Sequence, residues 1–271
     1  NSLKCHYCGF SEKNPKKCLK CGSIKIDMKG YGTQQIEEQI KSFFPKASVD
    51  RMDLDTTRGK YSVDKILEKF ENNLIDILIG TQMITKGLDF KNVGLVGVIN
   101  ADNILFFPNF RANEKAFQTL TQVAGRAGRS SIKGSVIIQT FSSDNNIFEL
   151  IKKQDHDAFY KNEITERNQF NYPPFYRLIK IILKSKDLET LVVASNWLFQ
   201  SLSNGFIYPI YGPFDPHIAR IKNQHIKHVL IKHPNTIVRK KIKKHLMKSI
   251  LSFESISKFR NIKCTIDVDP N

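Results

Sequence analysis

The sequence predicts an α/β protein of two domains, a parallel-sheet domain followed by a smaller α+β domain. Short β-branched runs alternate with helix-period segments between residues 33 and 141, which is typical of a parallel sheet covered by helices on both faces. From residue 177 onward, the strand and helix patterns follow the order β-α-β-β-α-β of a split βαβ sandwich. The chain has 271 residues, which is enough for two such domains.

Each element of the first domain has a local signal. Apolar residues at helical spacing follow Thr33, which we expect to cap the first helix, and Ser62 is expected to cap the second. The run Ile75–Gly80 has β-branched residues and ends in glycine, as a buried strand does. The remaining predicted elements are strands at 47–52, 93–102 and 135–141, a polar loop at 53–58 and a helix from about Asn113 through the motif at 122–129.

A long helix is predicted from about Asn146 to Phe170, ending before the two prolines at 173–174. The elements predicted after it are strands at 177–184, near 218–222, at 227–232 and at 263–268, and helices at 188–203 and 236–251. Three histidines, His225, His228 and His233, lie along one predicted strand with lysines between them, and we interpret them as surface residues rather than as a metal cluster. Cys264, in a terminal apolar strand, is expected in the core.

The chain is strongly basic, with a formal net charge of +16 from 42 basic and 26 acidic side chains. Residues 151–271 hold 21 basic and 10 acidic groups, against 21 and 16 in residues 1–150, so the excess is concentrated in the second domain. Such an excess favours a polyanionic partner, because phosphate contacts release counterions. No apolar run is long enough to cross a membrane, so we expect no membrane-spanning segment.

Four of the five cysteines lie within seventeen residues, in a C-x₂-C-x₉-C-x₂-C pattern. In each pair, the two-residue gap directs both thiolates at one ion, and the glycine that follows allows the tight turn. The pattern therefore predicts structural zinc on Cys5, Cys8, Cys18 and Cys21, with reduced cysteines in a turn-rich loop as the alternative.

The segment Gln122–Arg129 has the spacing Q-x-x-G-R-x-G-R. On a helix, Gln122, Arg126 and Arg129 project from one face, and the intervening glycines keep the neighbouring surface bare. Two converging guanidiniums form charge-assisted, often bidentate bonds to phosphate oxygens, so the motif predicts a triphosphate contact. The alternative is a solvated helix face.

A polar segment, Thr81–Phe90, directly follows the strand at 75–80. Ligands of open α/β sheets collect at the carboxyl ends of strands, where this segment would lie. The residues concerned are Thr81, Gln82, Thr85, Lys86, Gly87 and Asp89. The alternative is that these polar residues only cap the end of the strand.

These segments resemble motifs V and VI of the second RecA-like lobe of superfamily-two helicases. The runs ILIGTQMITKGLDF, LTQVAGRAGR, LKCHYCG, KKCLKCGS and DVDP are similar, in order from Leu3 to Pro270, to the C-terminal part of the PriA family of replication-restart helicases. The resemblance implies a RecA-like helicase lobe with an inserted or edge zinc-binding element, followed by the smaller split βαβ domain. The predicted domains are zinc knuckles at 1–24, the lobe at 25–145, a connecting helix at 146–175 and the α+β domain at 176–271.

The resemblance also implies roles. Arg126 and Arg129 would act as arginine fingers on the γ-phosphate of ATP bound with Mg²⁺ on another lobe, and Gln122 would orient a finger or a water. Gly87 and Asp89 would face the nucleotide. Thr81, Gln82 and Thr85 would contact the DNA backbone without sequence preference.

No G-x-x-x-x-G-K-[ST] phosphate loop and no acidic Mg²⁺ box occurs in this sequence, so we expect the chain alone to be inactive as an ATPase. In the family, eight cysteines bind two zinc ions in interleaved pairs, with four of them upstream. The four cysteines here would then either form two incomplete sites or close on a single ion.

The resemblance implies a cytoplasmic 3′→5′ DNA helicase that restarts stalled forks. Forked and single-stranded DNA, single-stranded-DNA-binding protein and primosome components would be its partners. The basic run at 239–245 predicts a further DNA contact, in which Lys240, Lys243 and Lys244 share one helix face. The rival interpretation is a zinc-ribbon nucleic-acid-binding module whose RecA-like lobe has lost its motor function.

Overall fold

The computed structural model describes residues 2–4, 11–13, 15–18, 20–25, 32–53, 56–57, 62–81, 93–125, 127, 134–236 and 239–270. The chain forms two compact units, one of residues 25–160 and one of residues 1–24 with 161–271. The predicted connecting stretch at 146–175 is therefore divided between the units. Among the described residues, no helix combines the length and hydropathy needed to cross a membrane.

Two short strands, β1 (Ser2–Lys4) and β2 (Ser11–Lys13), open the chain as an antiparallel pair in which Leu3 lies opposite Glu12. The residues between them include Cys5 and Cys8, which lie outside the described part of the chain. The hairpin thus brackets the first predicted zinc knuckle.

Residues 25–160 form an α/β unit, as the alternating patterns predicted. Its described elements are α1 (Thr33–Phe43), β3 (Val49–Met52), α2 (Ser62–Glu71), β4 (Ile77–Gly80), β5 (Leu95–Val98), α3 (Asp102–Leu105), α4 (Ala112–Ala124), β6 (Ser135–Ile138) and α5 (Asn146–Lys153). Strands β3 and β4 pair in parallel, and so do β5 and β6. Parallel pairs separated by helices are the arrangement that alternating strand and helix patterns predict.

The core of this unit surrounds α4. Its buried apolar residues are Ala101, Leu105, Ala116, Phe117, Leu120, Ile147 and Ile151. The ring of Phe117 stacks on Phe159 with the ring centroids 4.1 Å apart. This packing fixes which side of α4 faces the core and which side faces solvent.

The predicted long helix at 146–170 is two helices, α5 and α6 (His156–Gln169). Gln154 ends α5 in a left-handed conformation with φ 53°. The carboxylate of Asp155 then accepts a hydrogen bond from the amide of Ala158, which starts the second helix. The continuous apolar pattern concealed this break.

The C-terminal domain has a mixed α/β fold. Its elements are β7 (Tyr176–Ser185), α7 (Leu188–Ser203), β8 (Ile210–Phe214), β9 (Arg220–Ile221), β10 (Gln224–Pro234), α8 (Arg239–Ser255) and β11 (Lys263–Val268). The main sheet has the order β11-β7-β10-β8, with every pair antiparallel, and β9 pairs with β10. Because β10 lies between β7 and β8, this is the split βαβ order.

One predicted strand was placed wrongly. The second strand of the split βαβ unit is β8, at 210–214, rather than a strand near 218–222. Gly212 and Pro213 within β8 weaken its strand pattern in the sequence. Both residues are tolerated because β8 is an edge strand and its pairing with β10 is irregular at this point.

Helices α7 and α8 contribute to one apolar core with the sheet. The fully buried residues of this core include Ile181, Leu183, Leu191, Leu198, Leu202, Val229 and Ile231. Trp197, the only tryptophan in the sequence, packs at the edge of this core, 6.1 Å from Phe253 between ring centroids. Its fluorescence therefore reports the folding of this domain alone.

We expect Leu198→Ala to lower the free energy of unfolding of the C-terminal domain by about 2–5 kcal/mol, because the substitution leaves a cavity in a fully buried position. Denaturant titration followed by Trp197 fluorescence measures this change. Val193→Ala, at an exposed position on the same helix, should change it by less than about 0.5 kcal/mol. Equal effects of the two substitutions would contradict the described packing of α7.

Candidate functional site

The carboxyl ends of β3 and β4 lie side by side. In the parallel register Met52 is opposite Gly80, so Asp53 and Thr81 follow the two strands at the same edge. Thr81 is exposed there. The predicted site residues that follow it, Gln82, Thr85, Gly87 and Asp89, lie outside the described residues.

A polar cluster centred on Asp53 occupies this edge. Asp53 is only 7% exposed, and its Oδ2 accepts a hydrogen bond of 2.5 Å from the hydroxyl of Thr33. Its Oδ1 accepts from the amide of Thr56 at 3.0 Å, and the hydroxyl of Thr57 donates to its carbonyl oxygen. The carboxylate therefore ties the turn after β3 to the start of α1.

An arginine completes the cluster. Arg51 Nε lies 3.0 Å from Asp53 Oδ2 and 3.7 Å from Glu37 Oε2. The contact with Asp53 is an ion pair by distance but not an aligned hydrogen bond, since Nε makes none. Removing either charge would take the nearest opposite charge from a largely buried partner, which is destabilising in such pairs.

Sequence reasoning missed this cluster. The sequence pattern predicts only a polar loop at 53–58 and an N-cap at Thr33. Gly32 occupies the cap position instead, and the hydroxyl of Thr33 bonds to Asp53, twenty residues away. The available signal was an acid and two threonines directly after a strand, at the edge where ligands collect.

A second tie lies at the ends of β5 and β6. Asp102 begins α3, and its carboxylate accepts hydrogen bonds from the hydroxyl of Thr140 and the amide of Phe141, each at 3.0 Å. This carboxylate holds α3 against the segment that follows β6. Asp102 therefore has a structural role here.

Helix α4 presents Gln122 to solvent. Ala116, Leu120 and Val123 point into the core, whereas Gln122 is exposed in the last turn. The helix ends at Ala124 with Gly125 as its C-cap, which is earlier than predicted. Arg126 and Arg129 follow this end in the sequence and lie outside the described residues.

Gly125 is not required by the backbone. Its φ of −69° is accessible to any residue, and an added Cβ would make only ordinary contacts, the nearest at 3.5 Å from the carbonyl oxygen of Thr121. A glycine at this point leaves the helix end uncovered. That is what close approach of a large anion requires.

The second cysteine pair forms a tight turn. The amide of Cys18 donates to the carbonyl oxygen of Ser23 at 2.8 Å. The amide of Gly22, whose φ is +72°, donates to the carbonyl oxygen of Cys18 at 2.9 Å. Backbone hydrogen bonds from Cys21 and then Lys20 lower the pKa of the Cys18 thiol. These amides stabilise a thiolate, which is the form that binds metal.

Cys18 and Cys21 are free thiols. Among the described residues, no group of three or more histidine, cysteine, aspartate or glutamate side chains converges on one point. The other two predicted ligands, Cys5 and Cys8, lie outside that part of the chain.

The basic run belongs to α8, which begins at Arg239 rather than at 236. Lys240, Lys243 and Lys244 are exposed, whereas Ile242 and Leu246 of the same helix are buried. The three lysines therefore lie on the solvent side of α8, as predicted.

The three histidines do not form a cluster, but the interpretation as surface residues was wrong for His233. His233 is only 4% exposed. His228 is half-buried, and burial together with Lys180 and Lys184 lowers its pKa from 6.5 to about 4. His225 and His233 lie on one face of β10 and His228 lies on the other, because side chains alternate along a strand.

Two family profiles match the chain. The helicase conserved C-terminal domain matches residues 13–131, and the primosomal protein N C-terminal domain matches residues 168–271. The first match covers most of the α/β unit and the second covers the split βαβ domain, in the order expected from the sequence. The chain belongs to the PriA family.

Individual relatives agree with this assignment. The chain is 40% identical over 274 residues to replication restart protein PriA of Bacillus subtilis, 37% over 273 residues to that of Synechocystis and 34% over 273 residues to that of Haemophilus influenzae. These matches cover 99%, 99% and 100% of this chain and 33%, 32% and 37% of the relatives. The chain thus spans about a third of the length of the PriA proteins it matches.

The thiols of Cys18 and Cys264 should differ in their rates of alkylation. We expect alkylation of Cys18 to be about 100-fold faster than that of Cys264 at neutral pH in the presence of a chelator. The pKa of Cys18 is lowered, whereas burial and Glu254 raise that of Cys264 to about 11. Mass spectrometry of timed iodoacetamide reactions gives both rates. In denaturant the rates should converge, and equal rates in the native chain would contradict the described knuckle.

Proposed function

We propose that this chain is the C-terminal part of an ATP-dependent 3′→5′ DNA helicase that restarts stalled replication forks and initiates primosome assembly. The observation that carries the proposal is the edge where β3 and β4 end. There, Asp53 and Thr81 lie together, in the segment that matches the helicase C-terminal domain. Forked and single-stranded DNA, single-stranded-DNA-binding protein and primosome components are the proposed partners, and the cytoplasm is the proposed location.

The nucleotide side of the proposal involves Gln122, Arg126 and Arg129. Helix α4 is held by its buried face, so its exposed end is a rigid support for the residues that follow. Arg126 and Arg129 bind the γ-phosphate of ATP carried with Mg²⁺ on another lobe, and Gln122 orients them. Gly87 and Asp89 contact the same nucleotide. ATP supplies the hydrolysable phosphate, and these side chains stabilise its charge.

The DNA side of the proposal begins at Thr81. This residue is exposed at the end of β4, and with Gln82 and Thr85 it binds the sugar–phosphate backbone. Its neighbour across the register is the Asp53 turn, which keeps the strand end rigid. Residues 81–89 therefore contact both the nucleotide and DNA, so that closure around ATP changes the affinity for DNA.

Zinc is the second proposed cofactor. Cys18 and Cys21 form a turn whose amides favour the thiolate, and a hairpin brackets Cys5 and Cys8. Four thiolates complete a tetrahedral site without water, so the zinc is structural.

Near the C-terminal end of the chain, Lys240, Lys243 and Lys244 of α8 provide a further DNA contact through their exposed ammonium groups.

We expect Arg126→Ala and Arg129→Ala to reduce DNA-stimulated ATP hydrolysis about 10³-fold in a polypeptide that includes both lobes, because each removes a positive charge from the transition state. Phosphate release measures the rate, and DNA affinity should change far less. Gln118→Ala, on α4 but outside the motif, is the matched control. Normal turnover in both arginine variants would remove the finger assignment.

Elemental analysis should find about one zinc ion per chain, bound by the four cysteines of residues 5–21. Cys21→Ser should release the ion, whereas Cys264→Ser should retain it. Binding should weaken at acid pH, since protons compete for the thiolates. Absence of zinc would mean that the sites need further cysteines, and two ions would contradict a shared site.

A further inference from the structure

The sheet of the C-terminal domain has two faces. Ile181, Leu183, Val229 and Ile231 point to the face that forms the core with α7 and α8. Alternate residues of the same strands point to the other face, which we call the open face. Its accessible part consists of Lys180, Ile182 and Lys184 of β7, Tyr211 and Phe214 of β8, His228 and Leu230 of β10, and Lys263, Thr265 and Asp267 of β11. Leu178, Ile226 and Lys232 lie on the same face but are buried.

Strand register arranges these residues in rows across the sheet. One row is Phe214, His228, Ile182 and Thr265, and the next is Tyr211, Leu230, Lys180 and Asp267. Aromatic side chains therefore stand at the β8 edge. Polar side chains stand at the β11 edge.

The two aromatic residues are on the same face because the pairing of β8 is irregular. Residues three apart in a regular strand point to opposite faces. Here the register shifts between His228 and Leu230, which turns Phe214 to the side of Tyr211. Such irregularities commonly re-aim a side chain near a functional site.

Gly212 makes this irregularity possible. Its φ is +119°, and a Cβ at this position would lie 2.7 Å from the carbonyl oxygen of His228. No other residue fits without displacing the central strand. Both aromatic side chains are accessible, with Tyr211 42% and Phe214 39% exposed, and Lys232 Nζ lies 5.2 Å from the Tyr211 ring centroid.

The charge of the open face is positive. Lys184 and Lys263 are directly opposite each other in the antiparallel register. Like charges at opposed positions destabilise a sheet, so an anion bound beside this pair would reduce its repulsion. The one acid of the face, Asp267, lies 3.7 Å from Lys180 and not beside that pair.

The positive charge of the open face also acts on His228. Burial and the two lysines Lys180 and Lys184 lower its pKa to about 4, so its imidazole is neutral at physiological pH. The ring meets Phe214 edge to face, with the centroids 5.8 Å apart. A neutral ring beside an exposed aromatic ring extends the surface on which a flat ligand can stack.

We propose that the open face binds a single strand of nucleic acid, with bases stacked on Phe214 and Tyr211 and phosphates paired with Lys184 and Lys263. The proposal rests on the proposed function, in which the chain acts on DNA. Aromatic side chains flanked by lysines suit a single strand rather than a duplex, since only unpaired bases expose their faces. An acidic peptide would match the lysines but would leave the accessible rings without a partner.

The open face and the lysines of α8 are separate surfaces, because α8 packs against the other side of the sheet. The two sites can therefore be removed independently. This separation makes the proposal testable apart from the α8 contact.

The test is fluorescence anisotropy of a labelled oligothymidylate of about 12 nucleotides with the 271-residue chain. Phe214→Ala should weaken binding about tenfold, as loss of one stacked base does. The double substitution Lys184→Glu and Lys263→Glu should make the negative slope of log affinity against log salt shallower by about 1.4. Val193→Ala, exposed on α7, should leave both unchanged, and Trp197 fluorescence checks that each variant is folded.

The Phe214→Ala effect should persist when Lys240, Lys243 and Lys244 are replaced by glutamate. Wild-type binding by the two open-face variants would overturn the proposal, as would no binding of oligothymidylate by the unmodified chain. Equal competition by polyglutamate would overturn the choice of nucleic acid. The motor assignment fails separately, if Arg126→Ala leaves ATP hydrolysis intact.

Discussion

The long antiparallel pairing of β7 with β10 is the constraint on which the C-terminal domain depends. The pairing runs without interruption from His225 opposite Ser185 to Pro234 opposite Tyr176. Because side chains alternate, it sends one set of residues into the core beneath α7 and α8 and the other set to the open face. A slip of one residue would exchange the two sets, burying lysines and exposing the core.

Register also organises the α/β unit. The parallel pairing of β3 with β4 brings Asp53 and Thr81 to one edge, although they are separated by a helix and a strand. The buried Asp53 carboxylate then fixes the turn beside Thr81 through Thr33, Arg51 and Thr56. These contacts connect the end of β3 to α1, so the turn beside Thr81 and the start of α1 would move together.

Local signals in the sequence predicted much of this fold. Helix α7 and strand β11 have the predicted bounds, because an aspartate cap and strict apolar alternation are properties of adjacent residues. The lysine face of α8 followed from helical periodicity in the same way. The parallel pairs and the split βαβ order followed from the sequence of element types.

The errors arose where distant residues decide the outcome. The bond between Thr33 and Asp53 and the burial of His233 depend on the folded arrangement of the chain, and the position of β8 depends on an irregular pairing that tolerates Gly212. The break at Gln154 required a left-handed residue inside a continuous apolar pattern. The roles of Gln122, Arg126 and Arg129 stay predictions from the sequence.

The proposed function requires the nucleotide state to be coupled to DNA affinity through this lobe. Coupling between two ligands is reciprocal and appears as a change in the dissociation constant of one when the other is bound. The most direct measurement is the DNA dissociation constant of a polypeptide with both lobes, with and without a non-hydrolysable ATP analogue. We expect the analogue to change this constant in the wild type and to leave it unchanged in Arg126→Ala. A DNA dissociation constant that the analogue does not change in the wild type would contradict this coupling.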